Sequence, residues 1–314
     1  MSALLPAESV GSPAEVRLEP LAAPKAVVRS LTGRALDFWL LGGASLVVWV
    51  ILYSLEPFRS GTWVVNHHFS QLGVTFATLS LVMNAPHFMA SYALAYGQGW
   101  AFIRQHPVQL LIVPIVLVGL FGIAHTSFDD PAYGQSVLAG IRGITASLGL
   151  TTGLGTAPTF GRELMGILLA LMYFSVGWHY SKQTFGCMMV QGHFDGYRFS
   201  PTQRRVLKAT VFSVWGMQFT FHNLGVTRGE SSGVVFHGLG LPQWTYSLTV
   251  LAFIIALVTL VWLVFVRNYR DHGSVPSLNL LVPLVAFLVW WAPLTKQTEF
   301  YMGAVPFFHG LQYL

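Results

Sequence analysis

The sequence predicts an all-helical, polytopic membrane bundle, and three observations carry that expectation. The 314-residue chain has a mean hydropathy of +0.58. Only 9% of its residues are charged, against about a quarter in a soluble domain. Its apolar residues fall in blocks near the roughly 20 residues that a helix needs to cross a bilayer. Residues 1–33 are polar and carry Pro6, Pro13, Pro20 and Pro24, and they read as a flexible tail. Residues 34–314 read as a single transmembrane domain.

In chain order, apolar runs occupy 36–56, 72–96, 108–126, 163–190, 208–226, 245–266 and 278–294. An eighth run, 136–156, contains Arg142 and the glycines Gly140, Gly143, Gly149, Gly153 and Gly155, and reads equally as a span, a re-entrant segment or an interfacial helix. Positive charge arbitrates, because cytoplasmic loops collect Lys and Arg. With 136–156 not crossing, ten basic residues from Lys25 to Arg270 face one side and five (Arg59, Arg142, Arg162, Arg228, Lys296) the other. Seven spans with a cytoplasmic N-terminus follow, in a bacterial inner membrane. The net charge of +5 is small and dispersed, which excludes nucleic-acid binding. Membrane lipids and a hydrophobic small molecule are the expected partners, with a partner subunit or homo-oligomer left open. Cys187 stands alone, so neither an internal disulfide nor a thiolate-rich metal site exists.

Intramembrane polar residues are costly and mark function. Ser80, Asn84, His87 and Ser91 follow helical spacing and form one stripe on the second run. Ser175, His179, Gln183 and Gly186 do the same on the fourth, and Gln218 and His222 on the fifth. At about 1.5 Å rise per residue, His87 and His179 lie at nearly one depth and can meet, with His222 roughly 10 Å further out. His125 lies at the external end of the third run. His67, His68, His237 and His309 fall in segments assigned to the external side, beside Asp129 and Asp130.

Carboxylates are scarce, so a site built here is histidine-dominated. The candidate metal ligands are His87, His179, His222, His125, His67 and His68, with Asn84, Gln183, Gln218 and Asn223 as the residues that orient them. Imidazole suits iron first, with copper and zinc as alternatives. A lipid-lined, imidazole-held metal points to an oxidoreductase, an oxygenase acting on a lipid or isoprenoid. Two other readings use the same residues. His87 and His179 as axial ligands make a b-type haem subunit, with Gly177 and Gly186 giving a porphyrin room. Histidines on facing stripes, with Pro86 freeing a backbone carbonyl, make a transporter or a proton or metal pathway.

The segment "YFSVGWHYSKQ" (173–183) resembles the tryptophan-histidine helix of the bacteriorhodopsin-related (Brp/Blh) carotenoid dioxygenases. The resemblance implies a multi-span enzyme with histidine-held iron that cleaves a polyene, and it makes His179 an iron ligand. That family has a second histidine four residues on, where this chain has Gln183. The HxxxH and HxxHH boxes of membrane desaturases and a CxxCH haem signal are absent, and "GLGTAPTFG" (153–161) lacks the Lys-Ser/Thr of a phosphate loop.

Overall fold

The computed structural model describes residues 30, 32–55, 57–58, 63–225, 228–231, 234–273, 275–291 and 301–312, without the side chains of 63–67, 69, 70, 228–231, 235, 272, 301 and 302. The 1–33 tail lies almost wholly outside these residues. The fold is a helical bundle: α1 (Arg34–Leu55), α2 (Trp63–Gly97), α3 (Trp100–Gln105), α4 (Val108–Thr126), α5 (Gln135–Ser147), α6 (Phe160–Phe194), α7 (Pro201–His222), α8 (Gln243–Asp271), α9 (Leu278–Trp291) and α10 (Tyr301–Leu311). One antiparallel hairpin, β1 (Arg228–Ser231) and β2 (Val234–His237), interrupts the helices.

Among the described residues, five helices are long and apolar enough to cross a membrane: α1, α2 over Gln71–Gly97, α4, α6 and α8. The run 136–156 does not make one helix. Gly149 and Gly155 adopt positive φ, and α5 stops at Ser147 after 13 residues, roughly 20 Å against the ~30 Å of a hydrocarbon core. The run 278–294 yields a 14-residue helix, α9, kinked at Pro283.

Local chemistry sets the boundaries. α6 starts where Thr159 accepts a hydrogen bond from the Arg162 amide. α7 starts at a capping box, Ser200 and Gln203 each bonding the other's backbone amide, with Pro201 in the first turn. Within α1 the chain kinks at Gly42 (φ 153°), in a π-helical turn spanning Trp39–Gly43. Only glycine fits there: a Cβ would stand 2.8 Å from that of Ala286 on α9.

α6 is the central mast, packing on α4, α7, α9 and β2. Ser181 bonds the carbonyls of Gly177 and Val211, so it locks α6 to α7. α8 lies along α7, joined by Thr220–Thr249 and by Gln203 to the Leu263 carbonyl. Leu207, Val211, Val214, Met217, Leu260 and Phe287 are among the core residues where α7, α8 and α9 converge. α10 lies against α2, and its glycines permit close approach: a Cβ on Gly303 would come 2.7 Å from the Ala77 amide nitrogen. Gly303→Val therefore forces two backbones apart and is expected to destabilise the fold by about 1–3 kcal/mol, read as a lower thermal midpoint in detergent. Gly119→Ala on α4 meets open space and leaves the midpoint unchanged.

Candidate metal centre

His87 from α2, His179 from α6 and His309 from α10 converge, and one ligand atom from each lies within 4.8 Å of the others. Ring centroids are 6.0 Å apart for His87 and His179, 5.5 Å for His87 and His309, and 5.0 Å for His179 and His309. His87 and His309 are each 8% exposed, and His179 is half-buried. Metal–imidazole bonds of about 2.1 Å place ligand nitrogens about 3–4 Å apart, so small side-chain rotations close the trio on an ion. The three histidines could bind a metal ion without any shift of the helices.

Each ring is placed by its own helix. On α2, Asn84 donates to the Ser80 hydroxyl and the Ser91 hydroxyl donates to the His87 carbonyl; Ser80 and His87 are buried, Asn84 is half-buried and Ser91 is exposed. On α6, His179 sits between Gly177 and Ser181. A Cβ on Gly177 would stand 2.6 Å from the Trp215 ring, so this glycine seats the helix closely on α7. On α10, the His309 ring stacks on Tyr180 at 3.9 Å and 35°. The Gln183 amide donates to the His309 carbonyl (3.3 Å) and to Gln312 Oε1 (2.8 Å). Gln312 in turn donates to the Leu41 carbonyl at 2.8 Å, beside the Gly42 kink. A glutamine pair thus ties α10 to α6 and α1. A cavity of about 50 Å³ adjoins His309, lined by Ser45, Tyr180, Thr184, Trp290 and Gln312 among others.

The structure brings together His87 and His179, as the sequence placed them, and adds His309, which the sequence placed on the external side. The other candidate ligands stand elsewhere. His222 is the exposed last residue of α7, His125 is exposed at the end of α4, and His68 is exposed near the start of α2. The side chain of His67 lies outside the described residues. Gln183 belongs to the site. Asn84 lies close by on α2, its Oδ1 3.6 Å from where a Cβ on Gly310 would stand. Gln218 is buried in α7, and Asn223 is a loop clamp, donating to the Phe219 carbonyl and accepting from the Leu239 amide.

His237 has a different partner. Its Nε2 lies 3.1 Å from Glu163 Oε2, with side-chain exposures of 2% and 0%. The Ala157 amide donates to the same carboxylate oxygen, and a Cβ on Gly153 would stand 2.4 Å from His237 Nδ1. This pair fastens the 153–157 loop and the hairpin to the start of α6. It brings no third ligand among the described residues.

Replacing any one of His87, His179 and His309 by Ala is expected to abolish stoichiometric metal binding, measured by elemental analysis after detergent purification, whereas His222→Ala and His125→Ala retain it. Gln183→Ala loosens α10 and lowers metal affinity about 10-fold or more, read by chelator competition. No protein-family model, curated protein or solved structure matches this chain, so the chemistry of these side chains is the ground for assigning a function.

Proposed function

We propose that the chain is an integral membrane oxidoreductase, an oxygenase whose iron is held by His87, His179 and His309 and whose substrate is a lipid or isoprenoid. The observation that carries this reading is the meeting of three imidazoles from three helices. Neutral imidazole donors suit iron, copper and zinc, and three of them leave coordination positions open. An iron so held supplies redox chemistry with dioxygen at those open positions. A dioxygenase reaction balances without an external reductant, since both oxygen atoms end in the product.

The protein's own residues exclude water and admit the substrate. His87 and His309 are buried, while His179 keeps some exposure on the face of α6 that also carries the exposed apolar residue Met172, seven residues before it. A hydrophobic molecule in the bilayer reaches that face without crossing water. The resemblance of 173–183 to the carotenoid dioxygenase helix supports the same assignment for His179. The charge asymmetry supports a cytoplasmic N-terminus, in a bacterial inner membrane. It also supports seven crossings, with α7 and α9 joining the five helices that are long and apolar enough on their own.

The haem alternative fits less well. Axial histidines stand on opposite faces of a porphyrin, yet His309 lies within 5.5 Å of both other rings and occupies the space between them.

Anaerobically purified protein is expected to carry about one iron per chain and no Soret band. With a polyene or unsaturated lipid dispersion it consumes dioxygen, and His179→Ala loses that consumption. Metal-free protein that instead moves protons or zinc across liposome membranes would replace this reading with transport.

A further inference from the structure

A second feature lies on the surface where α6 meets α7. Phe174, Trp178, Lys182 and Phe185 share one face of α6. Lys208, Phe212, Trp215 and Phe219 share one face of α7. The two faces meet and their rings form a continuous strip: Phe212–Trp178 at 4.6 Å, Trp178–Trp215 at 5.3 Å, Trp215–Phe174 at 4.7 Å and Phe174–Phe219 at 5.4 Å. The strip is fixed, because the Trp215 indole N–H donates to the Phe174 carbonyl at 3.0 Å. It is also accessible: Phe174 and Trp178 are 38% and 42% exposed, and the other three rings are half-buried.

Both lysines sit at the same end. Lys182 Nζ lies 5.3 Å over the Trp178 ring, and Lys208 Nζ lies 4.9 Å over Phe185, so the second helix's ammonium reaches onto the first helix's face. Both lysines are exposed, and no ion pair involves either among the described residues. The other charged residues at this end are mostly basic: Arg198, Arg204 and Arg205 are exposed. The carboxylate of Asp195 already accepts from Gln191 and Ser277. From Lys208 to Phe219 the strip runs about 16 Å along α7, a length suited to an acyl chain.

We propose that the α6–α7 seam binds an anionic membrane phospholipid, its phosphate held between Lys182 and Lys208 and one acyl chain laid along the aromatic strip. Charge complementarity selects the head: basic pockets between membrane helices bind anionic phosphate-bearing lipids, whereas a zwitterionic choline head brings a cation of its own to the two lysines. Lysine suits a phosphate as a compact point charge on a flexible stem. The flat rings accept an acyl chain without the cost of burying polar groups. The inference rests on α6 and α7 lying in a bilayer and is independent of the metal site.

The test is native mass spectrometry of the full chain in detergent, equilibrated with equimolar phosphatidylglycerol and phosphatidylcholine of identical acyl chains. One phosphatidylglycerol is expected to be retained with a preference on the order of tenfold or more, as two basic residues near an anionic head provide. Lys182→Gln/Lys208→Gln, which keeps both stems over their rings, removes the preference, while Arg267→Gln on α8 keeps it. Circular dichroism and the thermal midpoint confirm that the variants are folded. Equal retention of the two lipids by the wild type, or an unchanged preference in the double lysine variant, overturns the proposal. Displacement of phosphatidylglycerol by an equal amount of palmitate also overturns it, in favour of a fatty-acid site. Metal content in the same samples reports separately on the histidine centre.

Discussion

The contact between α10 and α2 governs whether the histidines form a site at all. Neither helix gains from hydrophobicity by pairing in a bilayer, because lipid tails are as apolar as the side chains they would replace. Close approach and hydrogen bonds hold such helices together instead. Gly303 over the backbone at Phe76 and Ala77, and Gly310 over Met83, supply the close approach. Gln183 and Gln312 add hydrogen bonds that tie α10 to α6 and α1, using the His309 and Leu41 carbonyls as anchors, and so hold it in place against α2. The Gly42 kink is part of the same arrangement, since the Leu41 carbonyl that receives Gln312 lies within its π-helical turn. An eleven-residue helix is thereby held firmly enough to aim an imidazole at two others.

Two kinds of buried histidine coexist, and their surroundings separate them. His237 faces a carboxylate, is wrapped by the 153–157 loop, and holds the hairpin to the bundle. Such a pair is costly to bury unless both members are well bonded, and its use here is anchorage. In the His87–His179–His309 group each ring instead faces two other imidazoles, an arrangement suited to a shared cation from outside the chain. Charge scarcity, the first property visible in the composition, is what makes the two cases distinguishable.

Much of this was legible in the sequence. The helical blocks, the burial of Ser80 and His87 within the Ser80–Asn84–His87–Ser91 stripe, and the meeting of His87 with His179 all follow from spacing and rise, although Ser91 is exposed. His309 did not follow. Its helix is too short to register as a span, Pro306 interrupts it, and residues 292–300 before it obscure its start, so "PFFHGLQ" read as an external segment. His222 shows the opposite failure. Four-residue spacing from Gln218 suggested an inward face, yet the helix ends at His222 and the ring emerges to the surface. The hairpin 228–237 was invisible because its two four-residue strands are too short to show alternation. Pairings made by tertiary proximity, Gln183 with Gln312 or Glu163 with His237, leave no local pattern to read.

The three ligands come from widely separated parts of the chain, and translation delivers them in order. Roughly 130 residues separate His179 from His309. At 5–20 residues per second, roughly ten seconds pass between them at the ribosome. During that interval only two imidazoles of the trio exist, so an ion captured early would be held by an incomplete set and easily lost. Under the proposed function, loading would belong after the last helix has docked, and insertion of the apoprotein and supply of the metal would be separate events in the cell.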